Sequence, residues 1–287
     1  MSESFGARLA ARVAAAGPLV AGIDPHPGLL ADWGLSVDAK GLERFALTCV
    51  EAFGAEVALV KPQAAFFEAF GSRGVAVLER TIAEARSAGA LVIVDAKRGD
   101  IGSTMAAYAT AFLSDDSPLA GDALTVSPYL GFGSLDPALE LSAKTGRGLF
   151  VLALTSNKEG PSVQRARTDT GVSIAQSIVD SAAERNHGAD PLGHVGVVIG
   201  ATVGETALDL SRLNGAVLAP GLGAQGGTVA DLRRLFAGIS GQVLPSSSRD
   251  VLRHGPDVAA LRAAAVATRE SVRELGESTG AAGHSVS

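Results

Sequence analysis

Four charged residues follow an apolar run in LVIVDAKRGDIGST, Leu91 to Thr104: Asp95, Lys97, Arg98 and Asp100. Burying any one of these charges alone is expensive. An alternating acid and base array is the arrangement in which such charges share a buried site while nearly cancelling. Lys61, at the end of VALVK, and Asp24, at the end of LVAGID, repeat the pattern of a charge closing an apolar stretch. An ammonium held against a carboxylate stabilises a developing anion and delivers a proton to it. Taken singly, each residue has a plainer reading as a helix cap or solvated loop charge, Asp100 before IGST above all. The set of Lys61, Asp95, Lys97 and Asp100 fits that reading far less well.

These charges need elements to position them. Short apolar or β-branched runs predict strands at LVAGID (19–24), VALVK (57–61), LVIVDAK (91–97), ALTVS (123–127), LFVLAL (149–154), VGVVIGA (195–201), AVLA (216–219) and QVLPS (242–246). Between them ERFALTCVEAF, GVAVLERTIAEARSAG, SLDPALELSAK and DLRRLFAGI space apolar residues by three and four, the period of a helix packed on one face. PDVAALRAAAVATRESVREL adds a last helix, with its proline in the first turn.

Eight such alternations predict a single-domain (β/α)8 barrel over 1–276, with 277–287 as a polar, Gly-rich tail. An open Rossmann-type sheet is the second choice. Alternation along the strand turns Leu91, Ile93, Asp95 and Lys97 to one face and Val92 and Val94 to the other. The charges come at carboxyl ends, where barrels keep their chemistry, so Asp24, Lys61, Asp95 and Lys97 are expected in one mouth. The seventh and eighth strands lead into APGLGAQGG and PSSSRD. Gly221, Gly223 and Gly226 have the G-x-G-x-x-G spacing, but no ribose-binding acid follows in a βαβ unit, and the loops after strands seven and eight are a barrel's usual phosphate site. Arg249 offers a fork of donors to phosphate oxygens and Gln225 an amide; without that context Arg249 reads as an ion pair with Asp250.

Composition narrows the partners. The 287 residues are 47% hydrophobic with a net charge of -6, and no Lys/Arg stripe suits a phosphate backbone, so nucleic acid is not expected. No run reaches the roughly 18 apolar residues of a membrane span. The single cysteine, Cys49, sits in an apolar helical pattern, which excludes a disulfide framework, points to the core and suits a cytoplasmic location. MSESFGARLAARVAAAG has transit-peptide composition but reads better as a short amphipathic helix. The histidines at 26, 187, 194, 254 and 284 show no ligand spacing, so neither metal nor cofactor is expected.

D-A-K-R-G-D-I, with Lys61 in VKPQAAFFE upstream and Thr104 downstream, resembles orotidine 5'-phosphate decarboxylase, in particular its longer bacterial branch, from Gly22 to Arg249. The resemblance implies a (β/α)8 barrel acting as a homodimer with sites at the subunit interface. It implies orotidine 5'-monophosphate as substrate and uridine 5'-monophosphate with CO2 as products. Lys97 would donate the proton to C6, Asp95 would lie near the departing carboxylate and fix Lys97, and Lys61 and Asp100 would complete the network. Asp24 and Lys61 correspond to the ribose contacts. Ser156 corresponds to the pyrimidine contact, with Thr155 and Asn157 as chemical substitutes beside it. Gln225 and Arg249, assisted by the backbone of Gly221 and Gly226, correspond to the phosphate grip. Asp100 and Thr104 correspond to the pair reaching into the partner's site.

Two other readings stay open. A sugar-phosphate decarboxylase or aldolase of the same superfamily shares D-x-K-x-x-D but needs Mg2+ and an acid where this chain has Lys61. A catalytically silent nucleotide-binding barrel needs Gln225 and Arg249 but not the full charged set. The polar loop SNKEGPSVQRARTDTG, long for a βα connection, is expected to cover the mouth.

Overall fold

Eight parallel strands close on themselves in chain order: β1 (Val20–Ile23), β2 (Leu59–Pro62), β3 (Leu91–Arg98), β4 (Ala123–Val126), β5 (Gly148–Leu154), β6 (Val195–Ile199), β7 (Val217–Pro220) and β8 (Val243–Ser247). The structure is a computed structural model and describes residues 3–204, 207–224, 226–237, 239, 243–273 and 275. Each strand pairs with the next, and Val20 opposite Ser246 joins β1 to β8, which decides for the barrel over the open sheet. The expected tail, 277–287, lies outside the described residues.

Alternation divides the apolar residues into two cores. Val20, Leu59, Leu91, Ile93, Ala123, Phe150, Leu218 and Leu244 fill the barrel interior. Val60, Val92, Val94, Leu124, Val126 and Val151 face outward and pack against helical residues including Phe45, Phe53, Leu78 and Leu139. Cys49 belongs to this outer core, and burial, with the Asp24 charge nearby, pushes its thiol well up. The first segment forms the helix Phe5–Ala16, capped by Ser4, and inserts Phe5 and Leu9 into the interior cluster. Phe5 meets Phe150 edge to face at 6.1 Å. Gly148 makes room for it: a Cβ there would lie 2.4 Å from the Phe5 ring. With its amino end filled, the barrel keeps its opening at the carboxyl end.

Several helices go beyond the segments named from the sequence, and two of them show why. The last one runs Val258–Arg273, not from Pro256, because the Asp257 carboxylate accepts the Ala260 N–H at 2.7 Å and acts as the cap. The helix Gly102–Leu113 was not anticipated. GSTMAAYATAFL is apolar or small on nearly every side, so it shows no amphipathic stripe.

Candidate active site

Asp95 is the centre of the mouth. It is buried near the end of β3, where its Oδ2 accepts the Lys61 ammonium at 2.7 Å and its Oδ1 accepts the Lys97 ammonium at 2.6 Å. Lys61 comes from β2 and is itself buried, while Lys97 is 44% exposed and faces the opening. Burial alone would raise the Asp95 pKa, but the charges and hydrogen bonds of Lys61 and Lys97 outweigh it and hold the carboxyl well below the ordinary range. Burial likewise works against the Lys61 ammonium, and Asp95 and Asp24 together raise its pKa above the usual lysine value. At neutral pH Asp95 and Lys61 therefore both stay charged.

Simple alternation does not place Lys97. Four steps of β3, from Val94 to Arg98, are matched by two of β4, from Leu124 to Val126, so β3 bulges and Lys97 takes a left-handed backbone with φ 47°. The bulge curls the Lys97 side chain back over Asp95. Gln63 supports the same turn, its Nε2 donating to the Asp95 carbonyl at 3.2 Å.

Asp24, Lys61, Asp95 and Lys97 line one cavity of about 440 Å3 together with Ser156, Gly221 and Arg249. Its inner wall includes the apolar Leu152, Val198 and Leu222. Asp24, just past β1, has a buried Oδ1 with no hydrogen-bond partner, an acceptor left for a ligand donor. Thr155 and Asn157 are engaged with each other at 2.6 Å, and Gln164 also donates to Thr155 at 2.7 Å, whereas the Ser156 hydroxyl has no partner among the described residues. That favours Ser156 over its neighbours as a ligand contact.

At the far side of the cavity, Gly221, Gly223 and Gly226 all take positive φ. At Gly223 a Cβ would also fall 1.7 Å from the Asp250 carboxylate, so that side chain would have to turn away. The Gly226 N–H is donated to the Gly223 carbonyl at 2.6 Å and Gly226 lies off the cavity lining, so only Gly221 of the expected glycine pair reaches it. Arg249 makes no ion pair or hydrogen bond through its side chain among the described residues; Arg253 is the one that approaches Asp250, at 3.9 Å. Gln225 lies outside the described residues.

Asp100 and Thr104 do not line the cavity. The Asp100 Oδ1 accepts the Ile101 N–H at 2.8 Å, and Thr104 is exposed on the first turn of Gly102–Leu113. Ile101, Tyr129 and Leu130, around the ends of β3 and β4, are large apolar residues left exposed. Sequence reasoning gave no role to Arg98, Gln63, His26 or Thr125. Arg98 turns outward, ion-paired to Glu68 and lying over the rings of Tyr108 and Phe112 at 5.6 and 5.3 Å, and so ties the end of β3 to the helices Ala64–Glu68 and Gly102–Leu113. His26 lines the cavity and packs against the Phe66 ring, the two centroids 4.1 Å apart and the planes tilted by 55°.

Residues 17–264 match the model of the orotidine 5'-phosphate decarboxylase / HUMPS family. The chain belongs to this family. An orotidine 5'-phosphate decarboxylase of Salinispora arenicola is 64% identical over 263 residues, covering 92% of this chain and 95% of the relative. One from Streptomyces coelicolor is 60% identical over 263 residues, with the same shares of 92% and 95%. A crystal structure from Streptomyces avermitilis, described as the same enzyme, superposes with a TM-score of 0.94 at 60% identity, over 96% of this chain and 97% of that one. The resemblance seen in D-A-K-R-G-D-I is thereby borne out at the level of the family, and the (β/α)8 fold with it.

Proposed function

We propose that Lys61, Asp95 and Lys97, completed by Asp100 of the partner subunit in a homodimer, carry the decarboxylation of orotidine 5'-monophosphate to uridine 5'-monophosphate and CO2. This is the last step of de novo UMP synthesis, and a cytoplasmic location suits it. The observation behind the reading is the single Asp95 carboxylate clamped between two ammonium groups at 2.7 and 2.6 Å in the barrel mouth. As the bond from C6 to the carboxylate breaks, its electron pair stays on C6 in an orbital the ring delocalises poorly. The Lys97 ammonium stabilises that charge and its proton forms the new C6–H bond. Asp95 holds Lys97 in place and lies beside the departing carboxylate; Lys61 balances Asp95 from below.

The remaining contacts follow the substrate's parts. Asp24, with its unpartnered buried oxygen, and Lys61 receive the ribose hydroxyls. Ser156 meets the pyrimidine edge. Gly221, Gln225 and Arg249 take the phosphate, whose binding energy is spent on closing and ordering the site. Gly226 supports the turn through its backbone. Asp100 and Thr104 stand outside their own cavity and are flanked by exposed Ile101, Tyr129 and Leu130, which supports their use across a dimer interface.

The Mg2+-dependent sugar-phosphate reading is less well supported, because the Lys61 ammonium occupies the side of Asp95 where a second acid and a cation would have to meet. The silent-binder reading leaves the clamped carboxylate unexplained. Purified protein mixed with orotidine 5'-monophosphate, with and without EDTA, tests the reading through loss of the orotate absorbance. Equal conversion in both samples is expected. Well-folded protein that converts nothing, or only after Mg2+ is added, would overturn it.

A further inference from the structure

Thr125 does not line the cavity, yet its hydroxyl joins Asp95 to the backbone of Lys97. It lies on β4 with its side chain on the interior face, 1% exposed. Its Oγ1 donates to Asp95 Oδ1 at 2.9 Å and accepts the backbone N–H of Lys97 at 3.0 Å. The same Oδ1 accepts the Lys97 ammonium at 2.6 Å. The three residues thus form a closed ring: carboxylate, hydroxyl, Lys97 backbone and Lys97 side chain back to the carboxylate.

That ring sits where β3 departs from a regular ladder. Bulging takes the Lys97 N–H away from its ladder partner, and the left-handed conformation at φ 47° is sterically unfavourable for a residue with a long side chain. Such a conformation persists only where its surroundings over-determine it. The Thr125 oxygen supplies the acceptor that the bulged N–H has lost. Its proton, drawn to the Asp95 anion, leaves the lone pairs aimed at the Lys97 amide, so one hydroxyl sets both the backbone curl and the carboxylate orientation. Valine fills the same volume and does neither.

We propose that Thr125 is a positioning residue for the decarboxylation, holding the Lys97 backbone in its left-handed curl and Asp95 in the orientation that presents the Lys97 ammonium to C6. The inference rests on the function proposed above. Without the hydroxyl, Asp95 remains held by Lys61 and by Gln63 at its carbonyl, so the barrel keeps its shape while the Lys97 ammonium loses its register.

Thr125→Val and Thr125→Ser, assayed beside the wild-type protein, separate the possibilities. A misplacement near 1 Å at a reacting group costs roughly 100-fold in rate. Thr125→Val is therefore expected to lose about that factor in kcat while KM and the affinity for uridine 5'-monophosphate stay within a few-fold, since Arg249, Ser156 and Asp24 are untouched. Thr125→Ser, which keeps donor and acceptor, is expected to restore kcat to within a few-fold of wild type. A Thr125→Val protein with wild-type kcat would overturn the proposal. So would a folded Thr125→Ser protein that itself loses about 100-fold in kcat, an outcome that is read against wild type even if the valine variant does not fold. A wild-type protein that fails to convert orotidine 5'-monophosphate would instead remove the function on which the inference rests.

Discussion

The Lys97 ammonium lies 2.6 Å from the carboxylate of Asp95, a residue only two positions earlier in the same strand. In a regular strand both side chains would stand in parallel, each facing the interior. The bulge at Lys97 converts that parallel pair into a contact, with Lys61 closing the other side of Asp95 at 2.7 Å. The division of labour follows from exposure. Lys61 is buried and fixed, while Lys97 is the more exposed ammonium of the pair and keeps one side open to the cavity.

The buried clamp predicts a pH signature. Burial opposes ionisation of Asp95, but Lys61 and Lys97 win and depress its pKa, so its stabilising contribution is present above its unfolded value near ~4 and is lost as pH falls through the lower folded value. Lys61 is shifted upward, so its contribution is full below about pH 10 and lost only above that. Replacing Asp95 by Asn strands the buried Lys61 charge and is expected to cost about 3 kcal/mol, the low end for a broken buried pair because Asp24 remains nearby. Unfolding temperatures of wild type and Asp95→Asn should keep their gap as pH falls from about 7 to about 5, and lose it below about 4. A gap that stays constant as pH falls well below about 4 would mean Asp95 titrates in the folded protein as an ordinary carboxyl.

Arg249 makes its case through affinity. Its side chain has no partner among the described residues and faces the turn at Gly221. Charge-assisted contacts to one phosphate account for about 1.5–3 kcal/mol, so Arg249→Ala is expected to weaken uridine 5'-monophosphate binding by roughly 10- to 100-fold. Titration calorimetry reads this directly. Unchanged affinity would remove Arg249 from the phosphate site.

The proposed homodimer predicts complementation. In that proposal Lys97 serves its own cavity and Asp100 the partner's, so Lys97→Ala and Asp100→Asn proteins, each inactive alone, should regain activity when their subunits exchange. A hybrid holds one site with both native residues, and random exchange should return about one quarter of wild-type activity per subunit. If the mixture stays inactive although hybrids are shown to form, Asp100 acts within its own chain or not at all.

The barrel was legible because each strand is a short apolar run closed by a turn, and all eight expected runs overlap observed strands. The charges at strand ends were legible for the same reason: Asp24, Lys61, Asp95 and Lys97 interrupt otherwise apolar stretches and meet in one cavity. Other features left weaker traces. Thr125 reads in the sequence as an ordinary β-branched strand residue, and only the bulge opposite gives its hydroxyl two partners. The helix Gly102–Leu113 lacks a polar face to mark its period. Gly226 fits the glycine spacing, yet its N–H is taken up inside the turn. Pro256 looked like a helix start until Asp257 provided the cap.

The central claim is that the Lys97 ammonium does the proton transfer at C6, and Lys97→Ala tests it most directly. Turnover of orotidine 5'-monophosphate by the folded variant, measured together with its affinity for uridine 5'-monophosphate, is expected to fall by at least about 10,000-fold, with product affinity within a few-fold of wild type. Near-normal turnover in that variant would contradict the account, because it would leave the carbanion at C6 stabilised and protonated by some other group.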